Sequence, residues 1–201
     1  MNGFEKRTLE KRQQIIDATF TLINQKQGIQ SLKIEEIARE ANVGKTTIFK
    51  YFGNKETLIH ETFAVFIDQI RKQAHAEMEK NLPFEETLIA LSQNKMRAIN
   101  QMSKQFYLDM MVYMTEKNEN DLSILMEKYT KESIDMLLDL FHRGRKEGKV
   151  DLKYSDEFLI LYFQSLVEGM SHSTIYERML PYSEEWIEIL LAGMAPKEHT
   201  L

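Results

Sequence analysis

The stretch that most constrains the fold is residues 34–52, IEEIAREANVGKTTIFKYF, in which two short helical patterns flank one turn position. Apolar or small residues recur at three- and four-residue spacing in the first pattern and therefore share one helix face. They are Ile34, Ile37, Ala38 and Ala41. Asn42 follows, and asparagine tolerates a left-handed backbone better than most residues. In the second pattern Ile48 and Phe52 point back at the first helix, so the sequence predicts two helices packed across a tight turn.

The outward positions of the second helix carry side chains that a helix used only for packing would not expose together. Cations, a hydroxyl and an aromatic ring are combined there, at Lys45, Thr46, Phe49 and Lys50. In a helix-turn-helix the second helix lies in the major groove of DNA, where such groups meet base edges and phosphates. Two short helices in an ordinary core are the alternative. The exposed face favours DNA binding.

Charge is distributed unevenly along the 201 residues, whose formal net charge is −5. Residues 1–55 carry 10 Lys and Arg against 6 Asp and Glu, whereas residues 56–201 carry 16 against 25. A basic amino-terminal quarter on an acidic body is typical of a protein that presents one face to a polyanion. Ordinary scatter of charges is the alternative, so this asymmetry supports the motif and would not stand without it.

Composition narrows the fold class and the location. With only 3 Pro and 8 Gly, long helices are favoured over an all-β fold, and the absence of Cys excludes disulfides and thiolate metal sites. The first 30 residues lack a signal-peptide core, and no run approaches the ~18 apolar residues of a membrane span. We therefore expect a cytoplasmic protein that does not enter the membrane.

Helical patterns fill most of the remaining chain. Besides the two short helices, they cover residues 5–27, 55–80, 84–101, 104–114, 121–147, 156–177 and 183–193. The first of these has the length to brace the two short helices as a third member. The sequence thus predicts an all-α protein of about nine helices, with a three-helix helix-turn-helix domain at residues 1–54 and a larger helical bundle at residues 55–201.

The first helix begins with four cations, Lys6, Arg7, Lys11 and Arg12. Cations are disfavoured at the positive end of a helix dipole by about 0.3–1 kcal/mol. Contacts with DNA phosphates would offset that cost. A solvated helix start is the equally weighted alternative.

Several blocks in fixed order over residues 6–60 resemble the DNA-binding domain of the TetR family of bacterial transcriptional regulators. The blocks are IIDA at 15–18, IAREANV at 37–43, KTTIFKYF at 45–52 and NKETL at 54–58. The chain departs from the usual family pattern at four positions: Lys33 stands for a common Thr, Asn42 for the turn Gly, Gly44 for the capping Ser and Phe49 for a common Tyr. Glycine remains an acceptable helix cap.

The resemblance implies roles in DNA binding for particular residues. Tyr51 and Lys55 would hold phosphates, and Lys33 would meet a phosphate by charge. The groups nearest the bases would be Lys45, Thr46, Thr47, Phe49 and Lys50. A lysine suits guanine O6 and N7, and a Thr methyl or Phe49 suits the methyl group of thymine.

The last two helices are more apolar than a surface helix requires. Residues 158–170, FLILYFQSLVEGM, are apolar nearly all round, and residues 186–191 cover a broad apolar arc. A helix of this kind must be buried on several sides, and a second copy of the chain would supply the missing cover. The monomer's own core is the alternative. The resemblance implies the homodimer, whose paired recognition helices would read a near-palindromic double-stranded operator.

Met and aromatic residues are abundant in the carboxy-terminal bundle, which is more often plain core than a pocket. The resemblance favours a pocket for a small-molecule inducer, and we expect that inducer to be apolar. The candidate ligand-binding residues are Phe66, Met96, Phe106, Met110, Tyr113, Tyr129, Phe163, Gln164, Glu168 and His172. No cofactor is expected.

An enzyme or metal-binding helical bundle is the rival function. A di-iron bundle needs Glu-x-x-His twice, and none of the five His has Glu three positions before it. The pairs Glu168–His172 and Glu56–His60 share helix faces but are more often solvated. A nonspecific DNA-coating protein would need a more basic surface. The sequence therefore favours a ligand-released repressor.

Overall fold

The computed structural model describes residues 3–25, 28–115, 121–171, 175 and 178–197. Across these residues the chain forms nine α-helices, two short 3-10 helices and no strand, which confirms the predicted all-α class. The helices are α1 (Gly3–Gln25), α2 (Ile34–Glu40), α3 (Lys45–Phe52), α4 (Lys55–Glu79), α5 (Phe84–Asn100), α6 (Lys104–Thr115), α7 (Asp121–Lys146), α8 (Asp156–Ser171) and α9 (Ser183–Met194). None of these described helices is long and apolar enough to cross a bilayer.

Local capping explains why most helix ends were predictable. The Thr57 N–H donates to Asn54 Oδ1 at 2.8 Å at the start of α4, and the Phe158 N–H donates to Ser155 Oγ at 3.1 Å at the start of α8. Gly148 follows α7 with a φ of 70°, the left-handed conformation that favours glycine. The predicted extension of α8 to residue 177 falls largely outside the described residues.

The chain divides into two compact units. The first, here called the head unit, contains residues 1–69 and 99–123, and the second, the body unit, contains residues 70–98 and 124–201. The predicted boundary after residue 54 stays a prediction, and the compact units differ from it by placing the first part of α4 and all of α6 with the helix-turn-helix.

The core of the head unit joins α1 to the helix-turn-helix and to α4 and α6. Ile15, Ile37 and Ile48 are fully buried on α1, α2 and α3. An aromatic cluster continues this core, because the Phe106 ring lies 5.0 Å from Phe20 and 5.3 Å from Phe63 between ring centroids. Edge-to-face pairs of this kind stabilise packing beyond the area they bury.

The core of the body unit is a separate apolar cluster. Its buried members are Phe84, Leu88, Leu140, Phe141, Val150, Leu159, Leu190 and Met194. Asp156, at the start of α8, accepts hydrogen bonds from His142 Nε2 at 2.9 Å and from Arg145 Nη1 at 2.5 Å. These two donors hold the pKa of the Asp156 carboxyl below its usual value and fasten the end of α7 to α8.

Gly144 lies where α7 approaches this core most closely. A Cβ at this position would be 2.6 Å from Val150 Cγ2 and 2.7 Å from Phe84 Cδ2. Because both neighbours are buried, Gly144→Ala is expected to lower the free energy of unfolding by about 1–3 kcal/mol through overpacking. Urea unfolding followed by circular dichroism measures the change. Gly193→Ala is the matched control, since a Cβ there meets nothing within 4 Å; equal losses in both variants would contradict the packing argument.

Candidate nucleic-acid interface

The turn between α2 and α3 has the geometry that the sequence predicted. Asn42 adopts a φ of 46°, in the left-handed region, and the Val43 N–H donates to the Ala38 carbonyl at 2.9 Å. Gly44 takes an extended backbone as the N-cap of α3, and its carbonyl accepts the Thr47 N–H at 2.9 Å. These bonds satisfy backbone groups that helix ends leave open, so the turn is fixed by its own short sequence.

The α3 helix divides into a buried and an exposed face. Ile48 and Phe52 are buried against the head core. The opposite face brings together exposed Lys45, Thr46, Phe49 and Lys50, and Thr47 is half-exposed beside them. Phe49 is 46% exposed, which is unusual for a large apolar side chain with no packing role. The structure thus assembles the predicted base-reading groups on one accessible surface; their contacts with bases stay a prediction.

Lys45 is paired within the protein. Its Nζ lies 2.7 Å from Glu35 Oε1, and both side chains are exposed. The hydrogen bond from Lys45 lowers the pKa of the Glu35 carboxyl, so the carboxylate is charged at neutral pH. A phosphate or base that takes Lys45 must therefore displace Glu35, and the carboxylate itself repels DNA.

Glu35→Gln is expected to strengthen operator binding about three- to tenfold, because it removes a negative charge near the phosphates and releases Lys45. Fluorescence anisotropy with labelled operator at fixed salt measures the change. Glu40→Gln removes the same charge from the exposed end of α2 but has no pairing with Lys45, so its effect should be smaller. Weaker binding by Glu35→Gln would show that the pair positions Lys45 for DNA.

The three predicted phosphate contacts lie in different surroundings. Lys33 is exposed at the N-cap of α2, where its N–H donates to Glu36 Oε2 at 3.2 Å. Tyr51 is half-buried on α3. Lys55 is also half-buried, and its ammonium donates to the Ile29 carbonyl at 3.1 Å. An ammonium has three donors, so this bond leaves capacity for a phosphate, and all three roles stay predictions.

Arg12 has a role that neither sequence alternative contained. Its guanidinium donates to the Tyr51 carbonyl at 2.6 Å, pairs with Glu61, and lies 4.7 Å above the Phe52 ring. Arg12 therefore braces α1 against the end of α3 and the start of α4, instead of contacting phosphate or solvent alone. Its partners are some 40 and 50 residues away along the chain, so no local signal identified them.

A second set of bonds that sequence reasoning missed holds α6 to the head unit. The Ile29 N–H donates to Asp109 Oδ2 at 2.8 Å, and Asn24 Nδ2 donates to the Gln101 carbonyl at 2.7 Å. Asn24 Oδ1 also accepts the Ser103 N–H. The segment around the start of α6 is thus fastened to the end of α1, close to the helix-turn-helix in the same compact unit.

The candidate ligand residues are divided between the two compact units. Three of them, Phe66, Phe106 and Met110, are buried in the head unit, while Met96, Tyr129 and Phe163 belong to the body unit. Gln164 and Glu168 are exposed on α8. The side chains of Tyr113 and His172 lie outside what the structure describes. The ligand site therefore stays a prediction.

Comparison with known proteins gives a family match for the head. Residues 15–62 match the model of the TetR family, described as bacterial regulatory proteins. An uncharacterised HTH-type transcriptional regulator of Bacillus subtilis, YhgD, is 23% identical over 145 residues, which are 71% of this chain and 73% of that protein.

Solved structures share the fold. A TetR-family regulator from Agrobacterium tumefaciens has a TM-score of 0.72 at 17% identity, covering 94% of this chain and 100% of that chain. FadR from Bacillus subtilis, in complex with stearoyl-CoA, has a TM-score of 0.68 at 18% identity, covering 90% and 98%. KstR2, a ketosteroid transcriptional regulator of Mycobacterium tuberculosis, has a TM-score of 0.68 at 14% identity, covering 92% and 95%. The helix-turn-helix geometry, the family match and the shared fold show that this chain belongs to the TetR family of DNA-binding transcriptional regulators.

Proposed function

We propose that this regulator is a cytoplasmic repressor that binds a near-palindromic operator as a homodimer and is released by a small molecule. The observation that carries the proposal is the exposed face of α3, where cations, hydroxyls and Phe49 project from a helix anchored by buried Ile48 and Phe52. A rigid helix that presents such groups is suited to the major groove. The family and the matched relatives are regulators, which favours this function over an enzyme.

The proposed contacts with DNA follow from that face. Lys45, Thr46, Thr47, Phe49 and Lys50 read base edges, and Lys33, Tyr51 and Lys55 hold phosphates. Phosphate contacts position the helix, whereas base contacts give specificity. Arg12 supports the arrangement indirectly, because it fixes the end of α3 relative to α1 and α4.

Exposed apolar side chains on the last helices support the homodimer. On α8, Phe158, Leu161, Tyr162 and Val167 are exposed, and on α9 Ile189 is 69% exposed. The rings of Tyr154, Phe158 and Tyr162 form a stacked row along one side of α8, with centroids 5.6 and 6.2 Å apart. Apolar surface of this extent marks an interaction site, and a two-fold axis would place two recognition helices ~34–36 Å apart.

The proposed release requires the ligand to prefer a state that does not bind DNA. Tenfold release needs a differential binding free energy of about 1.4 kcal/mol. The bonds from Asn24 and Ile29 to the α6 region support this step, because a shift of α6 would act on the end of α1. FadR was solved with stearoyl-CoA, and we extend from it only the expectation of a largely apolar ligand.

Selection of bound fragments from a random DNA pool tests the proposed function most directly. Enrichment of inverted repeats with half-sites about one helical turn apart is expected for a sequence-reading dimer. Enrichment of a single half-site would contradict the dimer. No enrichment at all, with binding that depends only on salt, would instead favour a nonspecific DNA-binding protein.

A further inference from the structure

Lys95 is a charged residue on the buried stripe of α5. It stands seven residues after Leu88, four after Leu91 and three before Ala98, so the four side chains share one helix face. Leu88 and Ala98 are buried, and Leu91 packs against the core of the body unit. A lysine at this position therefore interrupts an otherwise apolar stripe, whereas lysines normally stand on the opposite, wetted face.

The surroundings of Lys95 combine two properties. Solvent reaches the side chain. The pKa of its ammonium is nevertheless lowered, and the cause is desolvation by the surrounding protein. A side chain on the surface of a helix would be wetted without this desolvation, and a side chain sealed in the core would not be wetted. Lys95 consequently faces a recess that penetrates the protein.

Within the part of the chain that the structure describes, no carboxylate or hydrogen-bond acceptor is paired with the Lys95 ammonium. Other lysines of the body unit are paired: Lys80 lies 2.6 Å from Glu77, and Lys149 lies 3.1 Å from Glu85. An ammonium that is partly desolvated and uncompensated destabilises the folded state. Groups of this kind are characteristic of binding sites, where the missing partner is the ligand.

We propose that Lys95 is the anion-binding group of a site for amphipathic acids in the body unit. The proposal rests on the proposed ligand release, for which it names the class of ligand. An acid with a hydrocarbon body satisfies both features of the site, because its anionic head pairs with the ammonium and its chain suits an apolar stripe. A neutral apolar compound of equal length would leave the ammonium unpaired.

The first test is the stability of the ligand-free protein. Lys95→Met replaces the ammonium with an unbranched apolar side chain of similar length and should raise the melting temperature. The matched control is Lys131→Met, an exposed lysine within helix α7, which should leave the melting temperature nearly unchanged. A lower melting temperature for Lys95→Met alone would show that an internal partner already neutralises Lys95, and it would overturn the proposal.

The second test is ligand preference, measured by isothermal titration calorimetry with dodecanoate, dodecyl phosphate and dodecan-1-ol below their aggregation limits. At least one acid should bind about ten- to a hundredfold more tightly than the alcohol, as expected for a charge-assisted hydrogen bond. Lys95→Met should abolish that preference and Lys95→Arg should retain it. The more tightly bound acid identifies the head group. Equal binding of acids and alcohol, no binding of either acid, or a preference that survives Lys95→Met would overturn the proposal.

A third measurement separates this site from the proposed release mechanism. Operator release by the preferred acid is followed by fluorescence anisotropy in the wild type and in Lys95→Met. Acid binding that depends on Lys95 but leaves the operator bound would support the site and contradict ligand release. Release that is equally efficient in both proteins would support ligand release and overturn the role of Lys95.

Discussion

Ile189→Glu is expected to split the proposed dimer into monomers. Ile189 is 69% exposed on α9, and a two-fold interface would contain it twice, so one substitution places two carboxylates in the apolar contact. At about 2–3 kcal/mol for each carboxylate removed from water, the dissociation constant should rise about a thousandfold or more. Operator affinity should fall with it, because a monomer can occupy only one half-site.

Sedimentation velocity over a range of protein concentrations measures the change in assembly. The matched control is Leu9→Glu, which introduces the same charge at a 55% exposed apolar residue of α1 in the head unit. That variant should keep the mass of the dimer. A dimeric Ile189→Glu protein would show that the copies associate through another surface, or that the exposed apolar face belongs to a different partner.

Lys50→Glu should produce the largest loss of DNA binding by a single change in α3. Lys50 is exposed in the last turn of the helix, where it is proposed to reach a base edge. Loss of a base contact costs about 1–3 kcal/mol, and the new carboxylate adds repulsion from the phosphates. We expect operator affinity to fall about a hundredfold or more. Lys131→Glu, with the same change in charge on α7, should have a much smaller effect.

Milder substitutions separate base reading from phosphate binding. Lys50→Ala should change the base preferred at one operator position, which repeated selection from the random pool would reveal. Tyr51→Ala should weaken binding to all sequences alike. If neither substitution affects binding to the selected operator, α3 is not the recognition helix.

The helices, their caps and the helix-turn-helix were predictable because the information for them is local. Apolar spacing within residues 34–52 identified the buried sides of α2 and α3, and Asn54, Gly148 and Ser155 marked helix ends through bonds to residues close in the chain. The DNA-reading face was predictable for the same reason. Turning a helix so that Ile48 and Phe52 are buried leaves the residues between them outside.

Only the tertiary structure decided the roles that depend on distant partners. Arg12 braces α3 and α4, Asn24 and Asp109 fasten α6 to the head unit, and Lys45 is paired with Glu35. Ionic and hydrogen-bonding side chains carry no signature of their partner when that partner lies on another helix. The same limit applies to Lys95, whose place on a buried stripe is visible in the sequence, whereas its wetted and desolvated surroundings arise only when the helices pack together.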